Sequence, residues 1–298
     1  MERTYFGKVV EVIEPPNLIE MQNISYDDFL QCGIAMEKRR NIGLQAVFSE
    51  VFPIDSYDGR YTLDFVKYAE GSVLARAGDT QVLCNVSVEG RVPPFLRDTG
   101  EGWLTSEYAM LPRATEERTP REVTKGQVSG RSAEIQRLIG RSLRAALDLG
   151  LLGERTLIVD CDVLQADGGT RTTAITGAFT ALVLALLKLR EQKALPGWPI
   201  RDQVAAISVG VVAGRHLLDL AYDEDSRAGV DLNLIGTARR GIVEVQGTAE
   251  REPFSRRELD ALLDLAEKGL ENAFSVQLAV LKHRLAAAGL AGLVGETT

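Results

Sequence analysis

Apolar positions recur along this chain with two periods, and the change from one to the other marks its elements. Over residues 60–68 they alternate, with Tyr61, Leu63 and Phe65 on one side and Thr62 and Asp64 on the other, as in a half-buried strand. Residues 72–77 and 81–88 flank Gly78-Asp79-Thr80 and predict a hairpin on a Gly-Asp turn. Over 132–149 the period lengthens to that of a helix. Ile135, Leu138, Ile139, Leu143 and Ala146 form an apolar stripe, Arg137, Arg141 and Arg144 the opposite face, and Gly150 is the expected C-cap. Residues 157–164 predict a buried strand, and 172–189 a helix apolar on most sides and therefore buried. A second hairpin is expected from 204–212 and 217–222 around Gly214-Arg215, followed by strands at 230–235 and 241–245. Ser255-Arg256-Arg257-Glu258 is a capping box opening a helix to about Leu285, after which an Ala/Gly-rich tail over 286–298 is expected to fray. Hairpins followed by covering helices, twice over, predict a two-layer α+β domain over 61–285.

The first 60 residues have another texture. Pro15-Pro16, Ser25-Tyr26-Asp27-Asp28 and Glu37-Lys38-Arg39-Arg40 interrupt the apolar positions, leaving 28–30 and 44–51 as short helix candidates. A segment so patterned is not expected to bury a core of its own. It reads as a poorly structured N-terminal extension.

Composition narrows the class. A 298-residue chain with 45% hydrophobic and 26% charged residues fits a soluble globular protein. The most apolar run, 174–187, is short for a bilayer and is broken by Thr176, Gly177 and Thr180, so no membrane partner is expected. The opening residues lack a signal peptide's apolar core. Cys32, Cys84 and Cys161 are far apart in sequence, odd in number and without metal-ligand spacing, which suits buried thiols in a reducing cytoplasm. The net charge of −8 is unevenly spread. Residues 1–66 carry eleven acidic and six basic side chains, whereas 111–144 carry eight Lys/Arg against four Glu. Such a basic stripe can bind phosphodiester locally. The same stripe also suits a solvated helix face and loop.

The sharpest chemical signal is Asp167-Gly168-Gly169-Thr170-Arg171, between a predicted strand and a predicted helix. Two glycines admit an anion close to the backbone, the helix start offers free N–H groups, Thr170 a hydroxyl and Arg171 a bidentate guanidinium. A tight strand-to-helix turn would use the same glycines. Arg131, behind Gly130 at another helix start, is a second candidate anion ligand. Asp219, Asp225 and Asp231 could bring carboxylates together for Mg²⁺ or a shared proton; a solvated acidic turn over 223–226 is the alternative. The two histidines, His216 and His283, lie outside any acidic or cysteine cluster, which disfavours a nuclease built on a His pair.

These residues sit within a longer pattern. Tyr68-Ala69-Glu70-Gly71-Ser72, Gly78-Asp79-Thr80, Leu111-Pro112-Arg113-Ala114-Thr115, Gly130-Arg131, residues 134–141, residues 160–171 and Gln246-Gly247-Thr248-Ala249-Glu250 together resemble the bacterial ribonuclease PH family over about 67–283. The resemblance implies a ribosomal-protein-S5 domain-2-like α+β fold and phosphorolytic trimming of tRNA precursors beyond the mature 3′ end, with release of nucleoside diphosphates. It implies that inorganic phosphate, the co-substrate, binds Arg131, Gly169, Thr170 and Arg171. Asp225 and Asp231 would be the catalytic carboxylates and would hold Mg²⁺. Arg113, Arg118 and Arg121 would contact RNA, in a homohexamer built as a trimer of dimers. A catalytically silent RNA-binding ring subunit of exosome type is the alternative. Residues 1–66 instead resemble the start of the bacterial RNA polymerase β subunit, through Pro16-Asn17-Leu18-Ile19-Glu20, Ser25-Tyr26-Asp27, residues 43–48 and Val51-Phe52-Pro53-Ile54. The chain therefore looks like a fusion joined near Phe65, lacking the family's own first segment. Its leader is expected to be inert or a tether, with a transcription-machinery adaptor as a further reading.

Overall fold

The computed structural model describes residues 2–5, 8–11 and 59–293, and the chain divides into two compact units, 1–53 and 54–298. In the first, β1 (Glu2–Tyr5) and β2 (Lys8–Glu11) pair antiparallel, Glu2 opposite Glu11 and Tyr5 opposite Lys8, a hairpin the hydrophobic pattern did not announce. The short helices expected at 28–30 and 44–51 lie outside the described residues.

The second unit opens with β3 (Gly59–Leu63), shorter than the alternation predicts. Asp64 takes a left-handed φ of 53° and its N–H donates to the Ser72 carbonyl at 2.8 Å, turning the chain. Tyr61 and Leu63 pack on the core, whereas Phe65 is left 48% exposed and does not join their face. β4 (Gly71–Ala77) and β5 (Thr80–Glu89) form the predicted hairpin, with Gly78 at φ 53°. With β6 (Trp103–Met110) and β7 (Thr156–Gln165) they make a sheet in the order β3-β4-β5-β7-β6, antiparallel except for the parallel pair β6 and β7. Cys84 and Cys161 stand opposite each other in the β5–β7 register with Sγ atoms 4.0 Å apart. Far apart in sequence, they are neighbours in the core, both buried.

Helix α1 (Gly130–Ala145) is capped by Ser129, which accepts from the Ser132 N–H, and lays the predicted Ile135/Leu138/Ile139/Leu143 stripe against that sheet. Its C-cap, Ala146, comes four residues before the expected Gly150, because Leu147 bridges to Ile200 and a 3-10 turn (Leu149–Leu151) follows. Arg144 is drawn off the solvent face: its guanidinium stacks 4.8 Å above Trp103 and donates to the Leu104 carbonyl. Helix α2 (Thr170–Glu191) is longer than expected and, among the described residues, is the one helix long and apolar enough to cross a membrane. Burial explains that composition. One side lies on β4 and β5, where a Cβ on Gly71 would come 1.9 Å from the Ala181 carbonyl oxygen, and another meets β8 (Val204–Val212).

β8 belongs to the second sheet, in the order β11-β10-β8-β9, with β9 (Arg215–Leu218), β10 (Val230–Thr237) and β11 (Ile242–Ala249). The β8–β9 turn is Ala213-Gly214, at φ 49° and 76°, so Arg215 lies in the strand. β9 stops at Leu218, short of the predicted 222, because Asp219 turns left-handed at φ 55°; the single-turn helix α3 (Tyr222–Asp225) follows. Helix α4 (Arg256–Ala287), capped by Ser255 as expected, packs on β8 and β10. Its Gln277 amide donates to the carbonyls of Thr176 and Val204, tying α2, α4 and β8 through satisfied buried polar groups. The chain beyond does not fray at once: Leu293 is buried and its carbonyl accepts from the Trp198 indole.

Candidate active site

β7 and α2 are joined by Ala166, Asp167, Gly168 and Gly169, and three hydrogen bonds fix the shape of this loop. The Thr80 hydroxyl donates to the Gly168 carbonyl at 2.6 Å and accepts from the Asp167 N–H at 2.8 Å. Asp167 Oδ1 accepts from the Tyr222 N–H at 3.2 Å, bringing α3 against the loop. Gly168 has φ 75°, and a Cβ there would lie 2.2 Å from the Leu220 carbonyl oxygen. Gly169 caps α2 in the left-handed region at φ 53°. The first N–H groups of α2 therefore leave a loop with no side chain at the cap, and they lack intrahelical partners.

Three further elements converge there. Thr170 is buried and its Oγ1 accepts from Tyr108 Oη, on β6, at 3.0 Å. Burial pushes the Tyr108 phenol up, and the Thr170 hydrogen bond and the charges of Arg131 and Arg171 oppose that shift. Arg131 comes from the first turn of α1. Arg171 Nη1 donates to Gln246 Oε1 on β11 at 2.7 Å and lies 3.5 Å from Glu134 Oε2 on α1.

Asp231, at the start of β10, completes the group. Burial pushes its carboxyl up to about 6; the charges of Asp225 and Glu250 add to the rise, and those of Arg171 and Arg131 oppose it. Asp225 is exposed at the end of α3. Thr170 and Arg171 thus stand on the first turn of α2 behind the Gly169 cap, and the charges of Arg131 and Arg171 act on both Tyr108 and Asp231, with Asp225 acting on Asp231. Asp219 instead flanks the loop near Gly169, where a Cβ on that glycine would be 3.6 Å from Asp219 Oδ1.

Arg113, Arg118 and Arg121 are exposed on the connection between β6 and α1. Burial pushes the Asp162 carboxyl up and Arg121 opposes it, which sets Arg121 near β7. His216 lies 4.0 Å from Glu258, and both histidines are exposed, away from the loop.

A carboxyl raised by burial and by a neighbouring carboxylate, Asp231 with Asp225, suits Mg²⁺, which commonly binds one or two carboxylates together with water and phosphate oxygens. Asp225 and Asp231 are the residues that could hold it; among the described residues no group of three or more His, Cys, Asp or Glu forms a metal cage.

Tyr108, Glu134 and Gln246 were not singled out by residue type. A tyrosine, a helical glutamate and a strand glutamine are unremarkable until β6, α1 and β11 are placed around α2.

Comparison with known proteins gives the family and the fold. The model for the 3′ exoribonuclease family, domain 1, matches residues 58–188, and that for domain 2 matches residues 202–269. Proteins named ribonuclease PH from Moorella thermoacetica and Syntrophomonas wolfei subsp. wolfei are each 57% identical over 217 residues, 73% of this chain and 87% and 91% of theirs. Among solved structures, rice Rrp46 aligns with a TM-score of 0.62 at 18% identity, covering 77% of this chain and 97% of that one. An Archaeoglobus fulgidus exosome with RNA bound to the active site aligns at 0.62 and 22% identity, covering 77% and 90%. These distant likenesses show the fold.

Proposed function

The chain belongs to the ribonuclease PH family of 3′ exoribonucleases, and from that membership we propose how its own residues carry out the reaction. The activity is phosphorolytic removal of nucleotides from RNA 3′ ends in tRNA processing, with inorganic phosphate as co-substrate.

The observation that carries the site assignment is the buried Thr170 and the Arg171 guanidinium on the Gly169-capped start of α2, with the charge of Arg131 felt at the same Tyr108. Phosphate would sit against the first N–H groups of α2 and Thr170, with Arg131 and Arg171 on its oxygens. Already an anion at neutral pH, it needs alignment more than deprotonation. One phosphate oxygen bonds to the terminal phosphorus, and the bond from that phosphorus to the preceding 3′ oxygen breaks. That oxygen takes a proton from the phosphate, and a nucleoside 5′-diphosphate leaves. Asp225 and Asp231 would hold Mg²⁺, which when bound offsets the negative charge of phosphate and RNA. The Gly168–Gly169 backbone and buried Thr170 hold the nucleophile in a fixed direction, the larger part of such catalysis.

Arg113, Arg118 and Arg121, exposed on one connection, are the proposed RNA contacts, through phosphate charges. Ring-like assembly is consistent with the family; a homohexamer built as a trimer of dimers, in the cytoplasm, is the form proposed. Residues 1–60 are proposed to be a tether without catalytic part, and 61–285 the catalytic domain. A silent ring subunit would have no use for the paired guanidiniums and the Asp225–Asp231 pair.

The test is incubation of a 3′-extended tRNA with and without phosphate. Nucleoside diphosphates formed only with phosphate are expected. Monophosphates released without it would overturn phosphorolysis.

A further inference from the structure

Resting on the reading of Arg171 as a phosphate ligand, we infer that Gln246 is a positioning residue for phosphorolysis, holding the Arg171 guanidinium in the direction that phosphate needs. Arg171 stands on the first turn of α2. Both of its polar side-chain contacts are made through Nη1: to Gln246 Oε1 at 2.7 Å and to Glu134 Oε2 at 3.5 Å. One edge of the guanidinium is thereby held by protein, and the other remains for an oxyanion.

A glutamine amide can face either way, and here its neighbours decide. Gln246 Nε2 donates to Glu134 Oε1 at 2.8 Å and to Glu244 Oε1 at 3.1 Å. Two carboxylates accept from the NH₂ end, so the carbonyl end must face Arg171. Glu244 is fixed in turn by Arg141 Nε at 2.9 Å. The chain Arg141–Glu244–Gln246–Arg171, braced by Glu134, spans α1, β11 and α2, which no backbone hydrogen bonding connects.

The sheet register ties this support to the carboxylates. Gln246 is opposite Asn233, and Thr248 is opposite Asp231, two residues along on the same face of β10. The strand pair that carries Asp231 therefore also sets where Arg171 points. The neutral amide makes the shorter of the two contacts to Nη1, so it orients the guanidinium while adding no negative charge to that of Glu134.

The experiment compares Gln246→Met, which keeps length and removes both hydrogen-bonding ends, with Arg171→Ala and the double variant, in the full chain with 3′-extended tRNA. Gln246→Met should raise the KM for phosphate about tenfold, the effect of losing a hydrogen bond to a charged group. The KM for RNA and the melting temperature should stay near those of the unaltered chain. In the Arg171→Ala background the substitution should add less than about twofold, since coupled residues are not additive. An unchanged phosphate KM in Gln246→Met overturns the inference while leaving the phosphate site standing. An undiminished effect in the Arg171→Ala background also overturns it. A normal phosphate KM in Arg171→Ala overturns the site assignment, and this inference with it. A matching fall in melting temperature and in both substrate affinities would mean that Gln246 only holds the fold together.

Discussion

At the residue scale the charge balance at Asp231 has the most direct consequences. Its folded-state carboxyl titrates at about 6, above the ordinary value of 3.8, chiefly through burial and the neighbouring Asp225 charge. A carboxyl raised in this way contributes stability that is fully present below about pH 4 and is lost as pH rises through about 6. With a chelator present, Asp231→Asn should therefore melt at a higher temperature than the unaltered chain above pH 6. The two should converge below pH 4, as thermal melts across that range will show. The same substitution, or Asp225→Asn, should lower turnover of 3′-extended tRNA by about a hundredfold or more, a loss typical of removing transition-state electrostatics. Binding of the tRNA, read by filter retention, should change little, and substantial residual turnover would remove these carboxylates from the mechanism. Arg118→Ala with Arg121→Ala should do the reverse. It should weaken RNA binding and make the slope of log affinity against log salt shallower by about 1.5, if each arginine neutralises one phosphate of a single strand. Binding titrations at several salt concentrations measure that slope.

At the element scale, the loop between β7 and α2 is held between two walls. Thr80, from the β4–β5 hairpin, bonds both Asp167 and Gly168, and the Leu220 carbonyl closes the other side of Gly168. Gly168→Ala combines a left-handed φ of 75° with a Cβ 2.2 Å from backbone oxygen, so one wall must move. The expected cost is about 2–4 kcal/mol, summing a strained φ and overpacking. The phosphate KM should rise with it, because the start of α2 moves with the loop. Denaturant melts and phosphate titrations of the same variant test both effects; a variant as stable and as active as its parent would mean the loop has room that its geometry denies.

At the scale of the whole molecule, the family match begins at residue 58 and β3 begins at Gly59. A chain truncated before Ser56 should thus keep a complete sheet and full phosphorolytic activity. Truncation before Ser72 removes β3, uncovers the edge of β4, and strips Tyr61 and Leu63 from the core. Burial of such side chains stabilises by about 1.5–3 kcal/mol each when complete, and somewhat less at the partial burial found here. An open β4 edge also invites pairing between chains. Size-exclusion chromatography should show a soluble active species for the first truncation and aggregate for the second. Loss of activity in the shorter truncation would assign residues 1–55 a part in the fold.

Local chemistry fixed much of this in advance. The 135/138/139/143 stripe, the all-apolar run of α2, the Gly78 turn and the Ser255 cap each depend on neighbours within a few residues, and each stands where the pattern placed it. The Asp167–Arg171 loop was legible for the same reason: two glycines before a helix with Thr and Arg at its start are a local device. Element ends were less legible. Asp64 and Asp219 turn left-handed where the alternation continued, because hydrogen bonds from elsewhere, to the carbonyls of Ser72 and Ser208, redirect the chain. The sequence by itself therefore determined most strands and helices of residues 61–285, though neither β6 nor the β1–β2 hairpin, and which loop has the make-up of an anion site. Only the tertiary structure decided that Tyr108 meets Thr170 and that Gln246 holds a guanidinium 75 residues away, because packing α2, β6 and β11 together sets those distances.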